Sequence, residues 1–142
     1  MLTRLFPLIL GGVLSLSMLP LNAAAAASGS WVADDIGITQ SFRGVAISAK
    51  PLQSPVALAQ ENARIVSVGW RYQLMSAAPD GLQVKLCTPT RCMPLDGGSG
   101  QSRGLAGEAA ATQLTFVYFI AGKGRVNPPL QVISNQVIVN YR

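Results

Sequence analysis

The chain has 142 residues, of which 12% are charged and 49% hydrophobic, with a formal net charge of +5, two cysteines and no histidine. That length suits one core and leaves no room for a second domain of ordinary size. The missing histidine removes the commonest general base and the commonest metal ligand together, and basic residues scattered without interleaved aromatics disfavour nucleic acid.

Met1-Leu2-Thr3-Arg4 makes a short basic start, Leu5 to Leu21 is an apolar run without charge, and Asn22 to Ala27 supplies the small residues that a signal peptidase accepts. Residues 1–27 are therefore expected to be a cleaved secretory signal, with the cut between Ala23 and Ser28, leaving 28–142 as one exported domain. A retained membrane anchor is the weaker reading. The run is at the short limit for a bilayer span of about 20 residues and carries Pro7 and Pro20 near its ends. No cysteine follows it to take a lipid.

Beyond the signal the dominant period is two. Short strands are expected at Trp31 to Ala33, Ile36 to Phe42 and Val45 to Ser48, with Trp31 either a core plug or an exposed anchor. Val56 to Ala63 has the best local helix propensity, but Pro51 and Pro55 precede it, and a loop crossing between sheets explains it as well. The clearest strand follows, with Val66, Val68, Trp70, Tyr72 and Leu74 on one face and Ser67, Gly69, Arg71 and Gln73 on the other. Ala78-Pro79-Asp80-Gly81 reads as a turn into a further strand, Leu82 to Cys87.

Cys87 and Cys92 form an even pair in a chain bound for an oxidising compartment, which implies a disulfide across the base of a hairpin resuming at Met93-Pro94-Leu95. A redox pair is disfavoured because the spacing is not C-x-x-C, and zinc would lack half its ligands. Asp96 to Gly107 is the longest irregular stretch and is expected to be a loop. Its glycine run lacks the ending and the strand-to-helix setting of a phosphate loop. Leu114, Phe116, Tyr118 and Ile120 form a strand expected to be buried on both sides, since Val117 and Phe119 make its reverse apolar too. Turns at Gly122 to Arg125 and Asn127-Pro128-Pro129 precede a last strand in which Val137, Val139 and Tyr141 alternate with Gln136, Ile138 and Asn140. The fold expected is all-β, a single small antiparallel β-sandwich, Ig-like in size, with one hairpin disulfide.

Catalytic chemistry is thinly supplied. The acids are Asp34, Asp35, Glu61, Asp80, Asp96 and Glu108, most of them in or beside turns, and adjacent Asp34 and Asp35 would point to opposite sides of a strand rather than face each other across a cleft. Lys50, Lys85 and Lys123 lie in no S-x-x-K pattern. No catalytic residue, cofactor or metal site is expected. Arg43, Arg71 and Arg91 would either build a basic surface or stand as isolated solvated charges. The C-terminal strand, with Ile138 and Asn140, would either be a free edge that receives a partner or be paired inside the sheet.

Trp70-Arg71-Tyr72-Gln73-Leu74, Gly81-Leu82-Gln83-Val84-Lys85-Leu86-Cys87 with Arg91-Cys92, Leu95-Asp96-Gly97, and Ser134 through Arg142 resemble the flagellar FlhE family, as does the Arg43-Gly44-Val45 step. The resemblance spans almost the whole mature chain. It implies a periplasmic β-sandwich without catalytic residues, associated with correct assembly of the flagellum and with keeping the export apparatus from leaking protons. Its expected role is to chaperone or cap a flagellar rod or export-gate component from the periplasmic side. The alternative is a binder of cell-wall glycan or an anionic envelope polymer. Contact with a partner is expected from positions among Trp31, Arg43, Arg71, Arg91, Arg103, Ile138 and Asn140.

Overall fold

Alternating side chains on an extended backbone can bury one face only by stacking sheet on sheet, and that is the arrangement found in a computed structural model describing residues 11–12 and 28–142. The segment read as a secretion signal lies outside the described residues apart from Gly11 and Gly12. Among the described residues nine strands follow one another: β1 Gly29–Ile36, β2 Thr39–Phe42, β3 Ala46–Ser48, β4 Ile65–Leu74, β5 Leu82–Cys87, β6 Cys92–Leu95, β7 Ser99–Ser102, β8 Thr115–Ile120 and β9 Arg125–Tyr141. The larger sheet runs β1-β9-β4-β7 with β2 also on β9, and the smaller runs β3-β8-β5-β6. Every pairing is antiparallel. Among the described residues there is no helix, and Val56 to Ala63 forms part of the loop that crosses from β3 to β4.

The core lies between the sheets. Trp31, Val68, Trp70, Val137 and Val139 pack from the larger sheet against Leu86, Phe116, Tyr118 and Ile120 from the smaller. Burying each such side chain stabilises by roughly 1.5–3 kcal/mol. Tyr72 meets the rings of Phe116 and Tyr118 edge-on at 6.4 and 5.8 Å. One polar bond crosses this layer, from the Tyr118 hydroxyl to Asn135 Oδ1, both residues being fully buried.

Four expectations are corrected by the strands themselves. Val66 is only half-buried, because a bulge between Ile65 and Ser67 slips the register and gives the core position to Ile65. Val117 and Phe119 are half-buried rather than buried, since nothing covers the outer face of the smaller sheet among the described residues. The Asp96 to Gly107 stretch contains β7, paired to β4 from Val68↔Ser102 to Arg71↔Ser99. The last strand begins at Arg125 instead of Gln136, and Pro128 and Pro129 lie inside it. The prolines are tolerated because β4 ends opposite Val132, with Met75 N–H reaching only to the Gln131 carbonyl, and because the β2 register shifts past them, from Gln40 on Leu130 to Phe42 on Arg125.

β9 is thus no edge. From Ser134 to Asn140 it carries β1 on one side and β4 on the other, and from Arg125 to Gln131 it carries β2. Continuity along the β1 and β2 side depends on Gly37, where a Cβ would lie 2.1 Å from the Val132 carbonyl oxygen. Cys87 and Cys92 face each other across the β5–β6 hairpin as a disulfide with Cα atoms 4.0 Å apart.

Candidate functional site

Strand register decides which side chains share a surface. On the outer face of the larger sheet it sets Ser30, Asn140 and Ser67 in one row, Val32, Ile138, Gly69 and Gln101 in the next, and Asp34, Gln136, Arg71 and Ser99 in the third. Gly69 has no side chain, so the middle row has a gap. The result is a depression of about 400 Å³ floored by Gly69, Gly100 and Ile138 and rimmed by Arg71, Gln101, Gln136 and Asn140. The rim is orderly: Ser67 Oγ accepts a hydrogen bond from Gln101 Nε2 at 3.2 Å and another from Asn140 Nδ2 at 3.1 Å. Each amide gives an N–H to Ser67, and its oxygen remains an acceptor.

Apolar surface flanks this depression. Val32 and Ile138 form a directly opposed pair, exposed by 46% and 41%, and Ile36 and Ile133 continue the same face at 76% and 44%. A glycine gap, four polar groups and a run of exposed aliphatics suit capture of a partner surface or an uncharged polar ligand. They do not assemble a nucleophile with a base. Among the described residues no group of three or more His, Cys, Asp or Glu side chains is placed to hold a metal.

Of the positions expected to contact a partner, Arg71, Ile138 and Asn140 are brought together here. The others are dispersed. Trp31 is 4% exposed and its indole N–H donates to the Ala110 carbonyl at 2.9 Å, so it serves the core. Arg43 Nη1 donates to the carbonyls of Asp80 at 2.7 Å and Ala121 at 3.1 Å, tying three loops at one end of β5. Arg91 sits at the opposite end of β5, where Nη2 donates to Ala106 O at 2.6 Å and Nε lies 3.9 Å from Glu108. Arg103 is exposed just after β7. The basic surface imagined from Arg43, Arg71 and Arg91 is therefore not formed: they occupy two ends of the smaller sheet and a face of the larger.

Two side chains, Gln101 and Glu108, carry no sequence signal that would give them a place at a site. Gln101 belongs to β7, a strand with no apolar residue to reveal its period. Glu108 is the second case. Its carboxylate accepts Thr88 Oγ1 at 2.7 Å and Thr90 Oγ1 at 2.8 Å. These bonds, first from Thr88 and then from Thr90, hold its pKa below the ordinary value of 4.5, with Arg91 and Arg64 adding to the effect against partial desolvation. The contact fastens the disulfide hairpin to the segment that follows β7.

Comparison with known proteins places this arrangement in context. Residues 37–142 match the family described as "Flagellar protein FlhE". The Flagellar protein FlhE of Yersinia enterocolitica is 84% identical over 142 residues, covering the whole of both chains. That of Escherichia coli is 42% identical, covering 92% of this chain and 98% of the relative. A crystal structure of FLHE superimposes with a TM-score of 0.78 at 43% identity, covering 82% of this chain and 99% of that one.

Proposed function

The chain belongs to the flagellar protein FlhE family, and from that premise we propose that it works in the periplasm as a non-enzymatic accessory that binds a flagellar rod or export-gate component. Binding chaperones or caps that component, supports correct assembly and limits proton leak through the export apparatus. The observation that carries this reading is the outer face of the larger sheet, where Val32, Ile36, Ile133 and Ile138 expose apolar area around the Gly69 depression. A closed disulfide agrees with an oxidising compartment. Among the described residues no helix is long and apolar enough to cross a membrane.

The test is site-specific photo-crosslinking in cells building flagella, with the crosslinker placed at Val32, Gln101 or Ile138 and, for comparison, at Lys85 on the opposite sheet. Trapping of a rod or export component from the first three positions and not from Lys85 is the expected result. Trapping of envelope polymer alone, or of nothing, overturns the proposal. The amides of Gln101, Gln136 and Asn140 give some support to a second reading, a glycan ligand. Co-sedimentation with purified cell wall that survives high salt would favour it, and absence of pelleting would remove it.

A further inference from the structure

A sheet edge is the other surface of this molecule able to recognise a chain, and its edges are unequal. β3 spans only Ala46–Ser48, and β6 carries Pro94, which has no N–H to offer. β7 is the short polar run Ser99–Ser102. β1 is eight residues long, contains no proline, and pairs with β9 from Gly29↔Tyr141 to Ile36↔Ser134 without a register shift. Among the described residues no backbone bond reaches β1 from its outer side. Natural edges of this length are normally blunted by charge, proline or a bulge; β1 has neither proline nor bulge, and its only charges are Asp34 and Asp35.

Its side chains specify a guest. On the outer face Asp34 lies between the exposed Val32 and Ile36. Asp35, on the other face, is paired with Lys50 at 3.5 Å, whereas Asp34 has no ion-pair partner among the described residues. The edge is thus acidic on a chain of net charge +5. A second copy of β1 is a poor guest, because like charges would be brought close across the new ladder. We infer that the free edge of β1 receives an extended basic segment of a partner protein by strand addition, with apolar side chains over Val32 and Ile36 and a lysine or arginine over Asp34. The identity of the biological partner rests on the binding role proposed above. The peptide chemistry does not.

The probe is a synthetic heptapeptide of sequence Thr-Val-Thr-Lys-Thr-Val-Thr, titrated into the purified protein and followed by amide chemical shifts. Shifts centred on Gly29 to Ile36 are expected, with affinity falling about threefold for Asp34→Asn and for a peptide with glutamate in place of lysine. Methylating the alternate peptide nitrogens that face the edge should abolish binding, since strand addition uses those N–H groups. Equal binding by the methylated peptide, shifts centred on another surface, or no shifts at the solubility limit would overturn the inference. A failed peptide leaves crosslinking from Ile138 unaffected, and a failed crosslink leaves peptide binding unaffected, so the two claims fall separately.

Discussion

Glu108 and Tyr118 show what single side chains contribute, one at the rim and one at the centre. The Glu108 pKa is depressed chiefly by the Thr88 and Thr90 hydroxyls. A depressed carboxylate lends stability above its unfolded value of about 4.5, and that stability is lost as pH falls through the lower folded value. Glu108→Gln should therefore lower the urea midpoint at neutral pH, and its difference from the unsubstituted protein should shrink as pH is taken below 4.5. Urea titrations at three or four pH values check this, and a difference independent of pH would refute it. Tyr118 is the opposite case. Burial, with a smaller contribution from Tyr72, raises its pKa above the ordinary 10.0, so the phenol stays protonated and donates to Asn135. Tyr118→Phe leaves that buried oxygen without its donor and should cost about 1–3 kcal/mol in urea unfolding, with the sandwich retained.

Among the elements, β9 is the one whose loss the fold cannot absorb. Ile138→Pro removes a ladder donor from a strand flanked by β1 and β4, and should cost about 3 kcal/mol or more, seen as collapse of the cooperative transition. A variant that folds normally would show this part of β9 to be dispensable. Legibility followed the same physics. β4 is readable from Val68 onward, where Val68, Trp70, Tyr72 and Leu74 alternate with Gly69, Arg71 and Gln73; at its start the same pattern misleads, because the bulge buries Ser67 and half-exposes Val66. β7 is not readable, because Ser99-Gly100-Gln101-Ser102 joins the sheet through its backbone and the fit of Gly100 against the Trp70 ring, where a Cβ would lie 2.5 Å away. The prolines of β9 read as a turn since sequence does not disclose that β4 stops at Leu74. Arg71, Ile138 and Asn140 could be nominated singly, but their convergence depends on register, which local pattern leaves open.

For the molecule as a whole, the exposed aliphatic face has a cost in solubility and only a partial return in folding. Val32→Ser with Ile138→Ser should cost about 1–3 kcal/mol in urea unfolding and leave the sandwich folded, because the paired side chains keep 46% and 41% of their surface in water. The same pair should reduce crosslinked product from Gln101 and impair motility; unimpaired motility with full crosslinking would mean this face is not the one used. β9 carries one more consequence. It is the last of the described strands in chain order, yet β1, β2 and β4 all hydrogen-bond to it. Until β9 is free to pair, the earlier strands of the larger sheet have no common neighbour, so that sheet cannot close from its N-terminal strands alone. A product truncated before Arg125 therefore lacks the strand that would let the larger sheet hide from proteases.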